Sequence, residues 1–229
     1  MNAHLLVPAA GLGKRLLRSE PKALVDLGGE PLLIHTLRRF VSLGLVKNAI
    51  IMVPLHHESG FRAAIDRAFP NTQVQLCPGG AERQQSVARG LDVLATDHGV
   101  VVIHDAARPF VEPDTVREAI TEATKHGAAT VATPCVDTIL QATKDQFLES
   151  TPDRSRLWAC QTPQVFRIDL LREAHQRAAK EGRTYTDDAT LVLAHGAPVR
   201  IVSGSARNFK VTTPEDLRYA EFLIQEATT

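Results

Sequence analysis

Residues 4–15 read HLLVPAAGLGKR: a short apolar run enters a loop of alanine and glycine, and two cations follow at Lys14 and Arg15. The run has the length and unbroken apolar character of a strand covered on both faces. Small residues after such a strand let backbone N–H groups approach phosphate oxygens or the edge of a base. The carboxyl end of the first strand is a preferred ligand position in an open α/β sheet. The loop matches neither familiar phosphate fingerprint. Leu16 stands where G-x-G-x-x-G has its third glycine, and the G-x-x-x-x-G-K-[ST] frame is absent. Taken alone, the stretch equally fits a tight strand-to-helix turn.

Working outward, the same alternation recurs. Residues 49–53 (AIIMV), 73–76, 100–103 (VVVI), 129–132 and 198–202 read as further strands. Between them, apolar residues fall at helical spacing: Phe61, Ala64, Ile65 and Ala68; Val87, Leu91 and Leu94; Val116, Ala119, Ile120 and Ala123. Later helices are marked by Leu170, Ala174, Arg177 and Ala178, and by residues 186–196. Thr213-Pro214-Glu215-Asp216 is a helix start, with a capping threonine, proline in the first turn and acids near the positive dipole end. Strand and helix in alternation predict an α/β fold: a Rossmann-like, open, mostly parallel sheet with helices on both faces. The rhythm breaks over about 135–160, a polar stretch too long for a simple crossover. It reads as a protruding β-arm on a single domain spanning 1–229. Ile139, Leu140, Phe147, Leu148 and Trp158 would leave such an arm with bare apolar surface, which a second subunit would cover. An arm folded back on its own domain fits the same residues.

Composition narrows the class. The chain has 229 residues, 44% of them hydrophobic and 23% charged, enough for a packed core. Lys+Arg and Asp+Glu both number 26, and no dense basic run occurs, which argues against a nucleic-acid binder. Any anionic ligand must meet a local group of cations. Cys77, Cys135 and Cys160 are odd in number and lack C-x-x-C spacing, so a disulfide framework or zinc ribbon is not expected. The first residues offer neither a membrane span nor a signal peptide, and the cytoplasm is the expected compartment. His56 and His57 are adjacent, no zinc-binding spacing is present, and Ser86 lacks the frame of a nucleophile elbow.

Four further stretches carry chemistry. Glu20-Pro21-Lys22 sets a third cation close to Lys14 and Arg15, a cluster suited to a triphosphate, although a charge run also fits a solvated face. Residues 79–86 (GGAERQQS) open a helix after a strand, where free N–H groups point outward. Ser86 is placed to hydrogen-bond a base and Arg83 to reach phosphate, and an ordinary capped loop fits equally well. Residues 104–109 (HDAARP) put Asp105 at the end of the VVVI strand, where a carboxylate needs a partner or a metal. Arg108 suits either a salt bridge to that acid or a substrate phosphate. Lys210, in residues 208–212 (NFKVT), gains weight only in combination.

In combination these stretches are more specific. PAAGLGKR, PK, GGAERQQSV, HDAARP, DT, DR, TPQ-x-F, TDD and NFKVT occur in an order that resembles the 2-C-methyl-D-erythritol 4-phosphate cytidylyltransferase family, over nearly the whole chain. The resemblance implies transfer of CMP from CTP to 2-C-methyl-D-erythritol 4-phosphate, giving 4-diphosphocytidyl-2-C-methyl-D-erythritol and pyrophosphate. It implies a nucleotide site at Ala9, Ala10, Gly11, Gly13, Lys14, Gly80, Ala81, Arg83 and Ser86. Arg15, Lys22 and Lys210 would be catalytic. Asp105 would hold Mg²⁺, or another divalent cation, and help place the acceptor. Arg108, Thr138, Thr162 and Lys210 would bind the methylerythritol phosphate, and Arg154 would come from the arm of the second subunit of a homodimer. Ala81, Ala23-Leu24 and Leu16 depart from residues common in the family at those places. The alternatives are a ribitol 5-phosphate cytidylyltransferase, which shares most of the motifs, and a non-catalytic nucleotide-binding module on the same fold.

Overall fold

The first strand, β1 (Ala3–Pro8), lies inside a sheet, with Leu5, Leu6 and Val7 wholly buried. The computed structural model describes residues 2–16 and 20–226, apart from the side chain of Lys14. After β1 come β2 (Asp26–Leu27), β3 (Glu30–Pro31), α1 (Leu32–Arg38), β4 (Ala49–Val53), α2 (Glu58–Ala68), β5 (Gln75–Pro78), α3 (Arg83–Val93), β6 (Val100–Ile103), α4 (Pro113–His126) and β7 (Ala128–Pro134). The chain continues through β8 (Gln141–Ala142), β9 (Leu148–Ser150), β10 (Trp158–Arg167), α5 (Ile168–Glu181), α6 (Asp188–Ala194), β11 (Arg200–Ser203) and α7 (Pro214–Glu226).

Seven strands form one open sheet in the order β11-β7-β10-β6-β1-β4-β5. The pairs β1–β6, β1–β4, β4–β5 and β7–β11 are parallel, as the α/β rhythm predicts. Alternation along each strand divides the core into two layers. Leu5, Val7, Ile51, Val53, Val100 and Val102 face the layer covered by α1, α2 and α4. Leu6, Ile50, Met52, Val101 and Ile103 face the layer covered by α3, α5 and α6. Each such side chain, fully buried, contributes about 1.5–3 kcal/mol.

A third cluster joins Leu16, Val25, Leu27 and Leu32 to Ala107 and Phe110 and to Leu217, Ala220 and Leu223 of α7. It fastens the segment after the glycine loop, the turn after β6 and the C-terminal helix to one another. The predicted cap of α7 forms: the Asp216 N–H donates to Thr213 Oγ1 at 3.2 Å, and Asp216 Oδ2 accepts from the Thr213 N–H at 2.8 Å.

Residues 158–167 correct the reading of the polar stretch. Its last part is not arm: β10 is a ten-residue strand inserted between β6 and β7, antiparallel to both. Gln161, Thr162 and Gln164 sit buried in it and interrupt the apolar run by which a central strand is recognised. The Gln164 amide donates to Thr130 Oγ1 at 3.2 Å, and its carbonyl accepts from the Asp188 N–H at 3.1 Å, so its burial leaves neither group unpaired. The remainder does protrude. β8 and β9 form their own two-stranded sheet, and residues 136–151 are all exposed.

Candidate active site

The carboxyl ends of β1 and β6, the loop before α3 and the segment before α7 enclose a cleft of about 320 Å³. Ala9, Ala10, Gly11, Gly13, Arg15, Lys22, Gly80, Ala81, Arg83, Ser86, Asp105 and Lys210 line it. The sequence places these residues on five separate segments, and the sheet topology gathers them. At one wall the Lys22 N–H donates to Gly11 O at 3.2 Å, folding the proline-lysine segment back onto the glycine loop. Gly13 has φ 63°, and a Cβ there would lie 2.7 Å from Lys22 Cβ. Glycine at 13 is therefore required twice, by its backbone and by the closeness of Lys22.

The opposite wall is the loop before α3. Ser86 Oγ accepts from the Gly80 N–H at 2.9 Å and donates to Glu82 O at 3.1 Å. Gln85 Oε1 accepts from the Ala81 N–H at 3.0 Å and closes a capping box with Glu82. Ser86, anticipated as a contact to the base, is buried with its hydroxyl engaged in shaping this loop. Gly79 presses on Ala10, where an added Cβ would fall 2.3 Å from Ala10 Cβ, so the two walls meet without room for a side chain.

Asp105 is the electrostatic centre. Its Oδ2 lies 2.9 Å from Lys210 Nζ and 3.6 Å from Arg108 Nε, and its Oδ1 lies 3.3 Å from Arg83 Nε. Burial alone would raise its pKa. Arg83, Lys210 and Arg108 overcome that and hold the carboxyl well below the usual carboxylate range. Arg108 Nη1 also donates to Asn208 O at 2.7 Å, bringing the Lys210 segment against the turn after β6. Arg83, anticipated as reaching phosphate, divides itself between Asp105 and Asp188, with Nη1 2.6 Å from Asp188 Oδ2.

The backbone of Asp105 is fixed as firmly as its side chain. Its N–H donates to Thr162 Oγ1 at 3.0 Å. Thr162 Oγ1 lies 3.1 Å from His104 Nδ1, and His104 Nε2 lies 3.0 Å from Arg108 O. A carbonyl can only accept, so Nε2 carries the ring proton, Nδ1 accepts, and the threonine hydroxyl donates to it. Every donor in this chain has one role only if His104 is neutral. Burial enforces that state, lowering its pKa to about 4. On the far side Asn208 Nδ2 donates to Gln161 Oε1 at 3.0 Å and to Thr162 O at 2.8 Å. Thus β10 positions both Asp105 and the segment that carries Lys210.

Lys22 is half-buried beside these cations. Burial, then the nearby charge of Lys210, lowers its pKa to about 8. Arg15 and Lys210 are exposed within the same cleft, and with Lys22 they bring cationic side chains to it beyond the Arg83 already paired with Asp105 and Asp188. The Lys14 side chain lies outside the described part. Thr162 reaches the site from β10 as a support of Asp105. Thr138 and Arg154 do not line the cleft of their own chain: both are exposed at the root of the arm, where Arg154 Nη1 donates to Val136 O at 2.7 Å. His104, Gln161, Gln164, His175, Asp188 and Asn208 support the site without having been singled out. His104, Asp188 and Asn208 stood inside motifs already marked (HDAARP, TDD and NFKVT), where a buried polar residue beside a charged one was the available signal. Among the described residues, no three His, Cys, Asp or Glu side chains converge as metal ligands, and no helix is long and apolar enough to cross a membrane.

Comparison with known proteins points to one family. A family model described as 2-C-methyl-D-erythritol 4-phosphate cytidylyltransferase matches residues 3–226. A protein of that name from Geobacillus kaustophilus is 43% identical over 224 residues, which covers 98% of this chain and 97% of the relative. One from Pelotomaculum thermopropionicum is 42% identical over 221 residues, 96% of this chain and 93% of the relative. Among solved structures, the enzyme of that name from Thermus thermophilus is similar with a TM-score of 0.81 at 35% identity, covering 98% of this chain and all of the other. A 4-diphosphocytidyl-2C-methyl-D-erythritol synthase from Anaerococcus prevotii aligns with a TM-score of 0.86 at 25% identity, over 97% of this chain and 96% of that one.

Proposed function

The chain belongs to the 2-C-methyl-D-erythritol 4-phosphate cytidylyltransferase family, and from that premise we propose how its cleft carries out the reaction. The protein transfers CMP from CTP to 2-C-methyl-D-erythritol 4-phosphate, releasing pyrophosphate, in isoprenoid precursor biosynthesis. A phosphate oxygen of the acceptor attacks the α-phosphorus of CTP in line with the departing pyrophosphate. The new P–O bond forms as the α–β bridge breaks, and no covalent enzyme intermediate is needed. The protein supplies position and charge.

The observation that carries this reading is one cleft holding Arg15, Lys22 and Lys210 around Asp105, beside a loop too small for side chains. Arg15 and Lys22 bind the triphosphate and stabilise the charge that builds on it. Lys210, held by Asp105, faces the point where acceptor and nucleotide meet. The walls formed by Ala9, Ala10 and Gly11 and by Gly80 and Ala81 take the cytidine. Arg108 and Thr162 lie on the acceptor side, and Arg154 with Thr138 completes it from the arm of a second subunit. Exposed Val136, Leu140, Phe147 and Leu148 on the arm are the surface that a homodimer would bury.

A divalent cation fits this donor set as a one-carboxylate site. Asp105 is ionised and lines the cleft, and its carboxylate oxygens carry about four lone-pair sites, so a cation can share them with Lys210 and Arg83. Mg²⁺ is commonly bound by one carboxylate together with substrate phosphates. When bound, it would neutralise triphosphate charge. A soluble cytoplasmic enzyme is the setting this chemistry suits.

The test is pyrophosphate release from CTP, with and without Mg²⁺, given 2-C-methyl-D-erythritol 4-phosphate, ribitol 5-phosphate or no acceptor. Release with the methylerythritol phosphate alone, dependent on the cation, is expected. Release with ribitol phosphate instead would overturn the acceptor assignment, and silence from folded protein in every tube would overturn the reaction.

A further inference from the structure

The network behind Asp105 runs deeper than the cleft. Arg83 is the first residue of α3, and two of its nitrogens are held by carboxylates from other elements: Nε by Asp105 Oδ1 at 3.3 Å and Nη1 by Asp188 Oδ2 at 2.6 Å. Asp188 opens α6, is 1% exposed and does not line the cleft. Its Oδ1 faces His175 Nε2 of α5 at 3.0 Å, and its N–H donates to Gln164 Oε1 of β10 at 3.1 Å.

Folding of α6 does not call for this carboxylate. The helix is capped by its neighbour Asp187, whose Oδ1 accepts from the Thr190 N–H at 2.8 Å. A buried carboxylate is costly unless paired, and an apolar residue packed against α5 would avoid that cost. What Asp188 does contribute is a grip on one side of Arg83. Without it, Arg83 would have Asp105 as its sole carboxylate partner among the described residues. Arg83 Nη2 is buried with no hydrogen-bond partner among them. A guanidinium so released would turn its planar fork onto both carboxylate oxygens, the preferred bidentate geometry. Oδ2, which now faces Lys210 at 2.9 Å, would be lost to it.

We infer that Asp188 is a positioning residue for cytidylyl transfer: by holding Arg83 it confines Arg83 to one oxygen of Asp105 and reserves the other for Lys210, with His175 as its own support. The inference rests on the reading of Asp105 and Lys210 given above. It also ties the nucleotide wall, where α3 begins, to the acceptor side at the end of β6.

Asp188→Asn is nearly isosteric; it removes the charge and turns one of the two accepting oxygens that face Arg83 and His175 into an amide donor. At a temperature well below the unfolding midpoints of both proteins, its kcat is expected to fall on the order of 10–100-fold, the scale of a small misplacement of reacting groups. CTP affinity, titrated without acceptor, should stay at the wild-type value, and Asp188→Glu should restore most of the rate. Arg83→Lys keeps a cation but loses the two separate nitrogens, Nε and Nη1, that hold Asp105 and Asp188, and the double variant should be no slower than the slower single one. A lowered midpoint with wild-type turnover in Asp188→Asn, or effects of the two substitutions that multiply, would overturn the inference. Should Asp188→Asn not fold, wild-type turnover in folded Arg83→Lys would overturn it equally. A crystal structure of Asp188→Asn tests it apart from activity: Arg83 on both oxygens of Asp105 with Lys210 displaced is expected, and unchanged contacts refute it. Wild-type protein assayed alongside keeps a failure of the proposed reaction separate, since that failure appears in the wild-type tube.

Discussion

Lys22 is the residue whose chemistry its surroundings change most usefully. A lysine ordinarily titrates near 10.5, and burial followed by the charge of Lys210 brings this one to about 8. In the proposed mechanism the cation binds triphosphate, and it is lost as pH rises through that value. The expected result is a kcat/KM for CTP that is level near pH 7 and falls with unit slope above about pH 8, since kcat/KM reports the free enzyme. Bound triphosphate favours the cation, so kcat should hold to a higher pH. Lys22→Arg, which does not deprotonate, should remove the alkaline limb whatever its rate. A pH–rate series on both proteins checks this, and an unchanged limb in Lys22→Arg would assign the titration to another group. At neutral pH, Lys22→Ala and Arg15→Ala should each lower kcat by about 10²-fold or more, the scale of removing one transition-state donor. Near-normal turnover in both, measured by pyrophosphate release, would remove these residues from the catalytic step.

At the scale of elements, α3 shows how the sheet delivers the site. Gly90 lies in the helix interior, and a Cβ there would meet Met52 Sδ at 2.8 Å and Leu6 Cδ2 at 2.9 Å. The helix therefore sits unusually close on β1 and β4, which sets its first residue, Arg83, beside the end of β6. Gly90→Ala gains helix propensity but overpacks this contact, and we expect a net loss of about 1–3 kcal/mol of stability by denaturant unfolding. An unchanged midpoint would mean that the helix shifts freely. The same geometry explains what was legible in the sequence. Unbroken apolar runs such as VVVI and AIIMV announce parallel strands because both faces are covered by helices, and the bounds at 49–53 and 100–103 agree with the structure. Cations near small residues announced Arg15 and Lys22, whereas Lys210 gained weight only in combination with the other motifs. β10 escaped because its buried Gln161, Thr162 and Gln164 serve the site rather than the core, and a polar stretch at strand spacing reads as an exposed arm rather than as a central strand. Asp188 and His175 escaped for a related reason: the partners that make their burial tolerable lie on other elements, which no local pattern displays.

The whole molecule poses a question that one chain leaves open, because the acceptor side of the cleft is thinly furnished. The proposed mechanism assigns Asp105, Arg108 and Lys210 to it, but Arg108 is tied to Asn208 O, and Arg154 and Thr138 stand at the root of the arm, away from their own cleft. The arm carries Val136 81% exposed, Phe147 72% exposed and Leu148 64% exposed, an arrangement that costs solubility unless it is covered. One arrangement answers both points: two arms pack on each other, and each brings its Arg154 to the other subunit's acceptor site. The prediction has two parts that can fail separately. Phe147→Asp with Leu148→Asp should convert a dimer to a monomer by light scattering, and should raise the KM for the acceptor while leaving CTP binding in place. Arg154→Ala should keep the dimer and raise the same KM. Mixing Lys22→Ala subunits with Arg154→Ala subunits should then raise turnover at low acceptor concentration above that of either variant alone, because one of the two sites in the hybrid dimer regains an intact Lys22 and an intact Arg154 at once. Were Arg154 to serve its own chain, each site of the hybrid would keep one defect and turnover at low acceptor would not rise.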